Sequence, residues 1–333
     1  MTRETLRPAT NLRRLVRPPF VLALALAIAV TLAVQPVASS TAPGRTARPE
    51  ATASARPVEP AAARQELPWL QEACGTSSAS MICRVTHFPR RPWLVLWGDS
   101  HALQYTIPLR RAALQRRFNL VVVFSGGCPL SLPYPAAAGQ PRMTCDKHNV
   151  RALAYVQRLV DSGRRVRAVL SSWWDFYRHR YALHRRALAA GVPSPLDTYE
   201  RHIVGLGVDR SRAMFRAIGR LGVRADVIAQ SGTPPAGARP CPTGAAPRAC
   251  GYERRAVLPR EASNRAWLRQ LSSSLAARPL VIDPSPAYCT RSRCFGRRHG
   301  RTTFSDWAHL HPAATRSMGR YFRPTVDALL ATR

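Results

Sequence analysis

Lysine and acidic residues are scarce in this sequence of 333 residues. Lys147 is the only lysine among 50 Lys and Arg residues, and 18 Asp and Glu residues leave a formal net charge of +32 at pH 7. A nucleic-acid-binding protein gathers its basic side chains in one patch or stripe, whereas the arginines here are dispersed through every segment. We therefore expect no nucleic-acid partner, and a basic exterior that attracts anionic envelope polymers or lipid headgroups.

Long apolar runs are also scarce. Residues 19–38 carry no charge, and residues 1–18 before them contain five arginines and one glutamate. A run of about 20 residues is near the minimum for a transmembrane helix and also fits a signal peptide. Because the arginines favour a cytoplasmic N terminus, the sequence predicts a membrane anchor with the rest of the chain extracytoplasmic. Cleavage as a signal peptide, which would give a secreted protein, is the alternative.

Large apolar side chains are almost missing from residues 39–68, which are mostly Ala, Pro, Thr, Ser and Arg. Such a segment cannot bury enough surface to offset its conformational entropy. The sequence predicts a flexible tether here, with a glycan-binding tail as the alternative. Residues 69–333 are long enough to bury one large α/β core.

Eight cysteines in an exported domain indicate disulfides. They occur as four pairs of close neighbours along the chain. The predicted disulfides are Cys74–Cys83, Cys128–Cys145, Cys241–Cys250 and Cys289–Cys294. A metal site at Cys289, Cys294 and His299 is the alternative, but the spacing matches no common zinc pattern. We expect neither a metal nor a cofactor.

Short apolar runs alternate with segments of helical spacing through residues 69–333. Continuous apolar strands between helices are typical of a parallel sheet that is covered on both faces. The sequence therefore predicts a three-layer α/β/α sandwich with a five-stranded parallel sheet. The predicted strands are residues 93–97, 119–124, 166–171, 225–229 and 280–282, and the predicted helices are residues 101–117, 147–161, 215–221, 261–276 and 313–330, the last interrupted at Pro324.

Ser100 follows the first predicted strand in the run Trp-Leu-Val-Leu-Trp-Gly-Asp-Ser-His, residues 93–101. At the carboxyl end of a strand in an α/β sheet, a side chain faces the ligand crevice, and the amides that open the next helix attract negative charge. This position suits a nucleophile. A turn with a capped helix and no chemistry explains the same residue types.

Asp306 and His309 lie three residues apart near the C terminus. A serine hydroxyl needs a base to take its proton, and the base works best when a carboxylate fixes its tautomer. Asp306 and His309 supply both groups from one turn. His311 is a rival base because it also lies near Asp306.

Together these two segments resemble the SGNH (GDSL-like) hydrolase superfamily, which pairs a Gly-Asp-Ser nucleophile with a late Asp-x-x-His. The sequence is most similar to the SGNH domain at the C terminus of many membrane acyltransferase-3 proteins. The shared segments are Trp97 to His101, Cys128-Pro129-Leu130, Trp173-Trp174 and Asp306 to Leu310. The resemblance implies a flavodoxin-like fold over about residues 70 to 330, and a triad of Ser100, His309 and Asp306. The multi-span acyltransferase part of those proteins has no counterpart here.

Acyl transfer also needs donors for the oxyanion of the tetrahedral intermediate. The amides of Ser100, Gly126 and Gly127 are the candidates. Typical members of the superfamily add an asparagine after the third strand, but residues 171–175 here read Ser-Ser-Trp-Trp-Asp. For substrate binding the sequence offers four further side chains near these motifs, namely Asp99, His101, Trp173 and Trp174.

Three functions fit these residues. The first is O-acylation, such as O-acetylation, of a cell-envelope glycan through an acyl-enzyme on Ser100. A separate multi-span membrane acyltransferase would then supply the acyl group. The second is a carbohydrate or lipid esterase, and the third is a glycan-binding module without catalysis.

Overall fold

The computed structural model describes Leu70, Cys74 and residues 80–132, 144–196, 210–229, 234–235, 250–275, 277–306 and 308–331. The predicted cytoplasmic segment, membrane helix and tether, residues 1–68, lie outside the described residues. Among the helices of the described part, none has both the length and the apolar character that crossing a bilayer requires.

Ten strands and eight α-helices alternate along the described part of the chain, with single turns of 3-10 helix between some of them. The strands are β1 Ser80–Arg84, β2 Trp93–Gly98, β3 Asn119–Ser125, β4 Val166–Ser171, β5 Arg224–Ile228, β6 Gly251–Glu253, β7 Val281–Ile282, β8 Arg293–Phe295, β9 Arg297–Arg298 and β10 Arg301–Thr302. The helices are α1 Ser100–Leu103, α2 Thr106–Arg116, α3 Thr144–Asp161, α4 Trp174–Ala189, α5 at residues 210–220, α6 Leu258–Ser272, α7 Pro312–Thr315 and α8 Gly319–Leu330.

The central sheet has six strands in the order β1-β3-β2-β4-β5-β7. The five predicted strands correspond to β2, β3, β4, β5 and β7, which pair in parallel. The prediction of a purely parallel sheet is wrong, because β1 adds an antiparallel edge strand beside β3. A strand of mixed composition such as Ser-Met-Ile-Cys-Arg lacks the continuous apolar run by which the buried strands are recognised.

Both faces of the sheet are covered by helices. Leu94 and Leu96 of β2 belong to a core cluster with residues of α1, α2 and α8. Trp93, Val95 and Trp97 alternate with them and pack in a second cluster with residues of α3, α5 and α6. Side chains of a strand point alternately to its two faces, so a strand that is apolar throughout, like β2, needs this double cover.

Disulfides hold loops around this sheet. The predicted pairs Cys74–Cys83, Cys128–Cys145 and Cys289–Cys294 are present. Cys250 is disulfide-bonded as well, and its predicted partner, Cys241, lies outside the described residues. Disulfides persist in oxidising compartments, so the domain is extracytoplasmic.

Three adjacent strands, β3, β2 and β4, have their carboxyl ends side by side. Gly98 of β2 lies in register with Phe124 of β3 and Ser171 of β4. Ser100, Gly126–Gly127 and Ser172–Trp173 follow these strands. Because the strands are parallel, the segments that the sequence analysis identified all lie at the carboxyl ends of the strands.

Candidate active site

Ser100 opens the short helix α1 directly after β2. The backbone path there requires Gly98, because a Cβ atom on this residue would lie 1.6 Å from the carbonyl oxygen of Ser171. Asp99 caps α1 through a hydrogen bond of 2.8 Å from the amide of His101 to its Oδ1. The side chain of Ser100 remains partly accessible to solvent.

A tight loop near the C terminus presents Asp306 and His309. Its ends are joined by an antiparallel bridge between Phe304 and Leu310. Asp306 Oδ1 accepts hydrogen bonds of 2.7 Å from the amides of Ala308 and His309. These bonds hold the carboxylate on the same side of the loop as the imidazole ring.

The structure brings Ser100, His309 and Asp306 into one hydrogen-bonded row. Nε2 of His309 lies 2.7 Å from Oγ of Ser100. Nδ1 of His309 lies 2.9 Å from Oδ2 and 3.1 Å from Oδ1 of Asp306. Since a carboxylate accepts hydrogen bonds, Nδ1 carries the proton and Nε2 is free to accept one from the serine.

Asp306 is held in its charged form. Partial burial raises the pKa of its carboxyl group, but the hydrogen bonds from His309 and from the two amides, with the charge of His309, outweigh burial and bring the pKa below its usual value. The rival base His311 is placed elsewhere. It is the N-cap of α7, where its Nδ1 accepts a hydrogen bond from the amide of Ala313.

Gln104 connects the two motif segments and was missed by the sequence analysis. Its Oε1 accepts a hydrogen bond of 2.7 Å from the amide of Leu310, and its Nε2 donates to the carbonyl of His101. The side chain is buried. Gln104 therefore positions the loop of His309 against the turn of Ser100, a role that no local sequence pattern indicates.

Asp99 lies beneath Ser100 with no exposed surface. Its Oδ2 accepts hydrogen bonds from the Ser172 hydroxyl, the Trp173 amide and the Tyr177 hydroxyl, at 2.8, 2.8 and 2.9 Å. Burial raises the pKa of the carboxyl group above its usual value, although all of these bonds act in the opposite direction. The protein itself supplies these partners of the carboxylate, and the predicted contact of Asp99 with substrate stays a prediction. Asp99 anchors β2 to the segment after β4.

His101 and Trp173 form an aromatic wall beside His309. The ring of His101 lies 4.7 Å from that of His309 and 5.2 Å from that of Trp173. His101 is 1% exposed, and neither of its ring nitrogens has a hydrogen-bond partner among the described residues. Burial, and then the charge of His309, lower its pKa well below the usual value, so the ring stays neutral.

The two adjacent tryptophans have different environments. Trp173 stacks on Phe176 as well as on His101, with 4.1 Å between the ring centroids of Trp173 and Phe176, and is buried beside His309. Trp174 is 1% exposed, packs in the core against Phe215 and Trp267, and donates from its indole nitrogen to the carbonyl of Ile228. The first turn of α4 directs Trp174 into the core, and its predicted contact with substrate stays a prediction.

Gly126 and Gly127 form the turn after β3, next to the end of β2. Gly127 has a φ of 64°, a conformation that glycine adopts without a steric cost. The segment 171–175, which follows β4 and has no asparagine, includes Ser172, whose hydroxyl donates to Asp99.

The alternative metal site does not form. Cys289 and Cys294 are joined in a disulfide, so their thiols are not available as ligands. In the described ranges, no group of three or more His, Cys, Asp or Glu side chains is arranged to hold a metal ion.

This chain is similar to a known protein family over most of its length. Among solved structures, the periplasmic domain of a lipopolysaccharide acetyltransferase of Salmonella ser. Paratyphi A aligns with 71% of this chain and 84% of its own, at a TM-score of 0.45 and 13% identity. No match among curated proteins reaches significance. The family described as "SGNH domain (fused to AT3 domains)" matches residues 70–324. On that match, and as its two motifs predict, this chain belongs to the SGNH family.

Proposed function

We propose that this protein transfers acyl groups through an ester of Ser100, with a hydroxyl group of an extracytoplasmic glycan as the acceptor. One observation carries the proposal, namely the hydrogen-bonded row from Ser100 through His309 to Asp306. This row has the arrangement and distances of a serine nucleophile with its base and orienting carboxylate.

In the first step, Oγ of Ser100 attacks the carbonyl carbon of the donor ester while Nε2 of His309 takes the hydroxyl proton. A tetrahedral intermediate forms, and Asp306 stabilises the imidazolium. When the intermediate collapses, His309 returns the proton to the leaving oxygen. The donor alcohol departs, and the acyl group stays on Ser100.

In the second step, a hydroxyl of the acceptor takes the place of the departed alcohol. His309 removes its proton, the acceptor oxygen attacks the acyl carbon, and the proton passes from His309 to Ser100 as the ester breaks. A sugar acceptor gives an O-acylated glycan, whereas water gives hydrolysis.

The oxyanion of both intermediates is assigned to the amides of Ser100, Gly126 and Gly127. Their place at adjacent strand ends supports this assignment. Removal of one such donor typically lowers the rate by about 10²- to 10³-fold.

Phe176 supports a sugar acceptor. Its partly exposed ring stacks on Trp173 beside the base, and an exposed aromatic ring offers an apolar face to a sugar ring. Ester hydrolysis is the second candidate, because partial exposure of Ser100 gives water a route to the acyl-enzyme.

The family description, which names fusion to AT3 domains, supports a membrane acyltransferase as the source of the acyl group. The predicted anchor at residues 19–38 would keep the two in one membrane.

The test is intact mass of the full chain after incubation with p-nitrophenyl acetate. We expect a mass increase of one acetyl group on Ser100, and its absence in Ser100→Ala, with the rate of nitrophenol release falling by about 10⁴-fold or more. Ser317→Ala, which removes an exposed serine on the α7–α8 connection, is the matched control. Equal nitrophenol release from Ser100→Ala and the parent protein would refute the enzyme and leave a binding module.

Adding an oligosaccharide separates the two enzymes. A transferase yields acylated oligosaccharide at the expense of free acetate, and a hydrolase releases acetate at the same rate with or without the sugar. The two products are distinguished by mass.

A further inference from the structure

A cleft lined by arginines lies at the amino-terminal ends of β2 and β4. Ser100 lies at the opposite, carboxyl-terminal ends of the strands. The volume of the cleft is about 600 Å³. The residues that form it come from the loop that precedes β2, from the end of α3 and from the loop that follows α3, namely Arg90, Arg91, Pro92, Val160, Gly163, Arg164 and Arg165. A hydrogen bond of 2.8 Å from the Trp93 amide to the Arg165 carbonyl joins the two loops.

Two of the four guanidinium groups are fixed by the fold. Nε of Arg91 donates to the carbonyl of Arg117, just past the end of α2, at 2.6 Å. Nη1 of Arg165 donates to the carbonyl of Ala331, just past the end of α8, at 2.7 Å. Carbonyl oxygens at helix ends carry partial negative charge, so they hold these arginines without neutralising them.

The other two guanidinium groups, on Arg90 and Arg164, make no hydrogen bond or ion pair with any part of the chain that the structure describes. Both side chains are exposed. Of two carboxylates on the neighbouring helices, Asp161 accepts a hydrogen bond from Gln157 and Asp327 pairs with Arg116. No carboxylate lines the cleft.

Some arginines elsewhere in the described domain are paired with carboxylates. Arg167 pairs with Asp226, Arg260 with Asp175, and Arg265 with both Glu261 and Asp283. In the cleft, four positive charges instead converge from two loops without a counter-charge. Such a concentration attracts a multivalent anion.

We propose that this cleft binds the phosphoryl group of a phosphate ester. Guanidinium forks match phosphate oxygens two at a time, and two pairs of adjacent arginines offer such forks from both sides. The volume exceeds that of the anion, and Pro92 and Val160 provide apolar surface for the carbon skeleton of the ester. The site lies one strand length, about 20 Å, from Ser100, so the proposal does not depend on the acyl transfer proposed above.

The test is calorimetric titration of the full chain with inorganic phosphate and with glycerol 3-phosphate at constant ionic strength. We expect saturable binding of both, reduced at least tenfold in Arg90→Ser/Arg164→Ser. The control variant, Arg111→Ser/Arg269→Ser, removes the same charge from exposed arginines on α2 and α6 and retains the parent affinity. Thermal unfolding establishes that both variants are folded.

Three results would overturn the proposal. These are binding that does not saturate, equal binding by the cleft variant and the parent, or equal losses in the cleft and control variants, which would indicate overall charge alone. Ser100→Ala should bind phosphate like the parent, so this result is separate from the test of catalysis.

A competition experiment identifies the source of the ester. Phosphatidylglycerol vesicles displace bound phosphate, relative to phosphatidylcholine vesicles of the same size, if the cleft takes a lipid headgroup. Equal retention of phosphate with both vesicles, together with tighter binding of glycerol 3-phosphate than of inorganic phosphate, assigns the cleft to a soluble or polymeric phosphate ester.

Discussion

At the scale of single residues, the reactive groups depend on buried neighbours that never touch a substrate. Asp99 ties the turn of Ser100 to Tyr177 and to the backbone after β4. Gln104 ties the same turn to the loop of His309. Side chains held by such bonds lose little further entropy when the reaction proceeds, which is how preorganised sites lower a barrier.

Gly98 provides a sharp test at this scale. Gly98→Ala places a methyl group within 1.6 Å of the Ser171 carbonyl oxygen in the present backbone. Two paired strands must separate to relieve this contact, so we expect destabilisation by more than about 3 kcal/mol. Chemical denaturation measures it. Gly319→Ala is the control, since its added Cβ meets nothing within 4 Å; similar stability of the two variants would contradict the expected clash.

The triad candidates could be predicted because two short sequence motifs contain them. The buried side chains that hold the two motifs in place could not be predicted. Ser100 and His309 are 209 residues apart, and only the strand-turn-helix pattern and the Asp-x-x-His spacing indicate a common site. Gln104 and Tyr177 carry no local pattern, and their roles follow from tertiary packing. Trp174 begins α4 and packs in the core, whereas Trp173 is the N-cap residue before the helix and packs beside His309, a difference that the sequence pattern does not indicate.

At the scale of elements, the disulfide Cys128–Cys145 joins the segment after Gly127 to the first turn of α3. It stabilises the glycine turn to which we assign part of the oxyanion site. The other fully described disulfides lie at the sheet edge and in the β8 region. Each closes a short loop around a preformed sheet.

Removal of Cys128–Cys145 by paired alanine substitutions should lower the free energy of unfolding by about 3 kcal/mol, because the bridge restricts a loop of 17 residues in the unfolded chain. Removal of Cys289–Cys294, with a separation of 5, should cost about 2 kcal/mol by the same relation. Denaturation without reductant measures both. A larger loss from the shorter loop would mean that native contacts, not loop entropy, dominate.

The elements recovered from the sequence are those with an unmixed pattern. β2, β3 and β4 each contain a buried apolar run and were placed within one residue, whereas β1 is an edge strand of mixed composition. α4 was missed because its arginines and histidines obscure the helical spacing of its apolar residues.

The interruption predicted at Pro324 is wrong, since α8 runs through it. Proline has no N–H, so Pro324 cannot donate a hydrogen bond to the carbonyl of Arg320, four residues earlier. Arg320 is exposed, so water can donate this hydrogen bond instead. The chain breaks instead at the 3-10 turn Arg316–Met318.

At the scale of the whole molecule, stability should depend on pH through histidines that fold in their neutral form. Burial, and then the charge of Arg151, lower the pKa of His148 from 6.5 to about 4. Its Nδ1 lies 2.9 Å from Oγ of Ser80, which links α3 to β1. Burial acts in the same direction on His101. Both groups therefore resist protonation only while the domain is folded.

Between pH 6.5 and 4, the unfolded chain binds a proton at His148 that the folded protein excludes, so the free energy of unfolding falls as pH is lowered through this range. Above pH 6.5, His148 contributes no pH dependence. We expect His148→Gln to remove up to about 3 kcal/mol of this fall, measured by denaturation at a series of pH values. His179→Gln, at an exposed position on α4, should leave the fall intact. An unchanged profile in His148→Gln would exclude the predicted linkage.

The separation of 209 residues between Ser100 and His309 has a consequence for biosynthesis. During synthesis Ser100 is made well before His309, its partner in the proposed mechanism. On that mechanism, the hydroxyl of a chain that lacks the loop of His309 has no base, and we expect reactivity toward esters only after this loop docks onto Gln104.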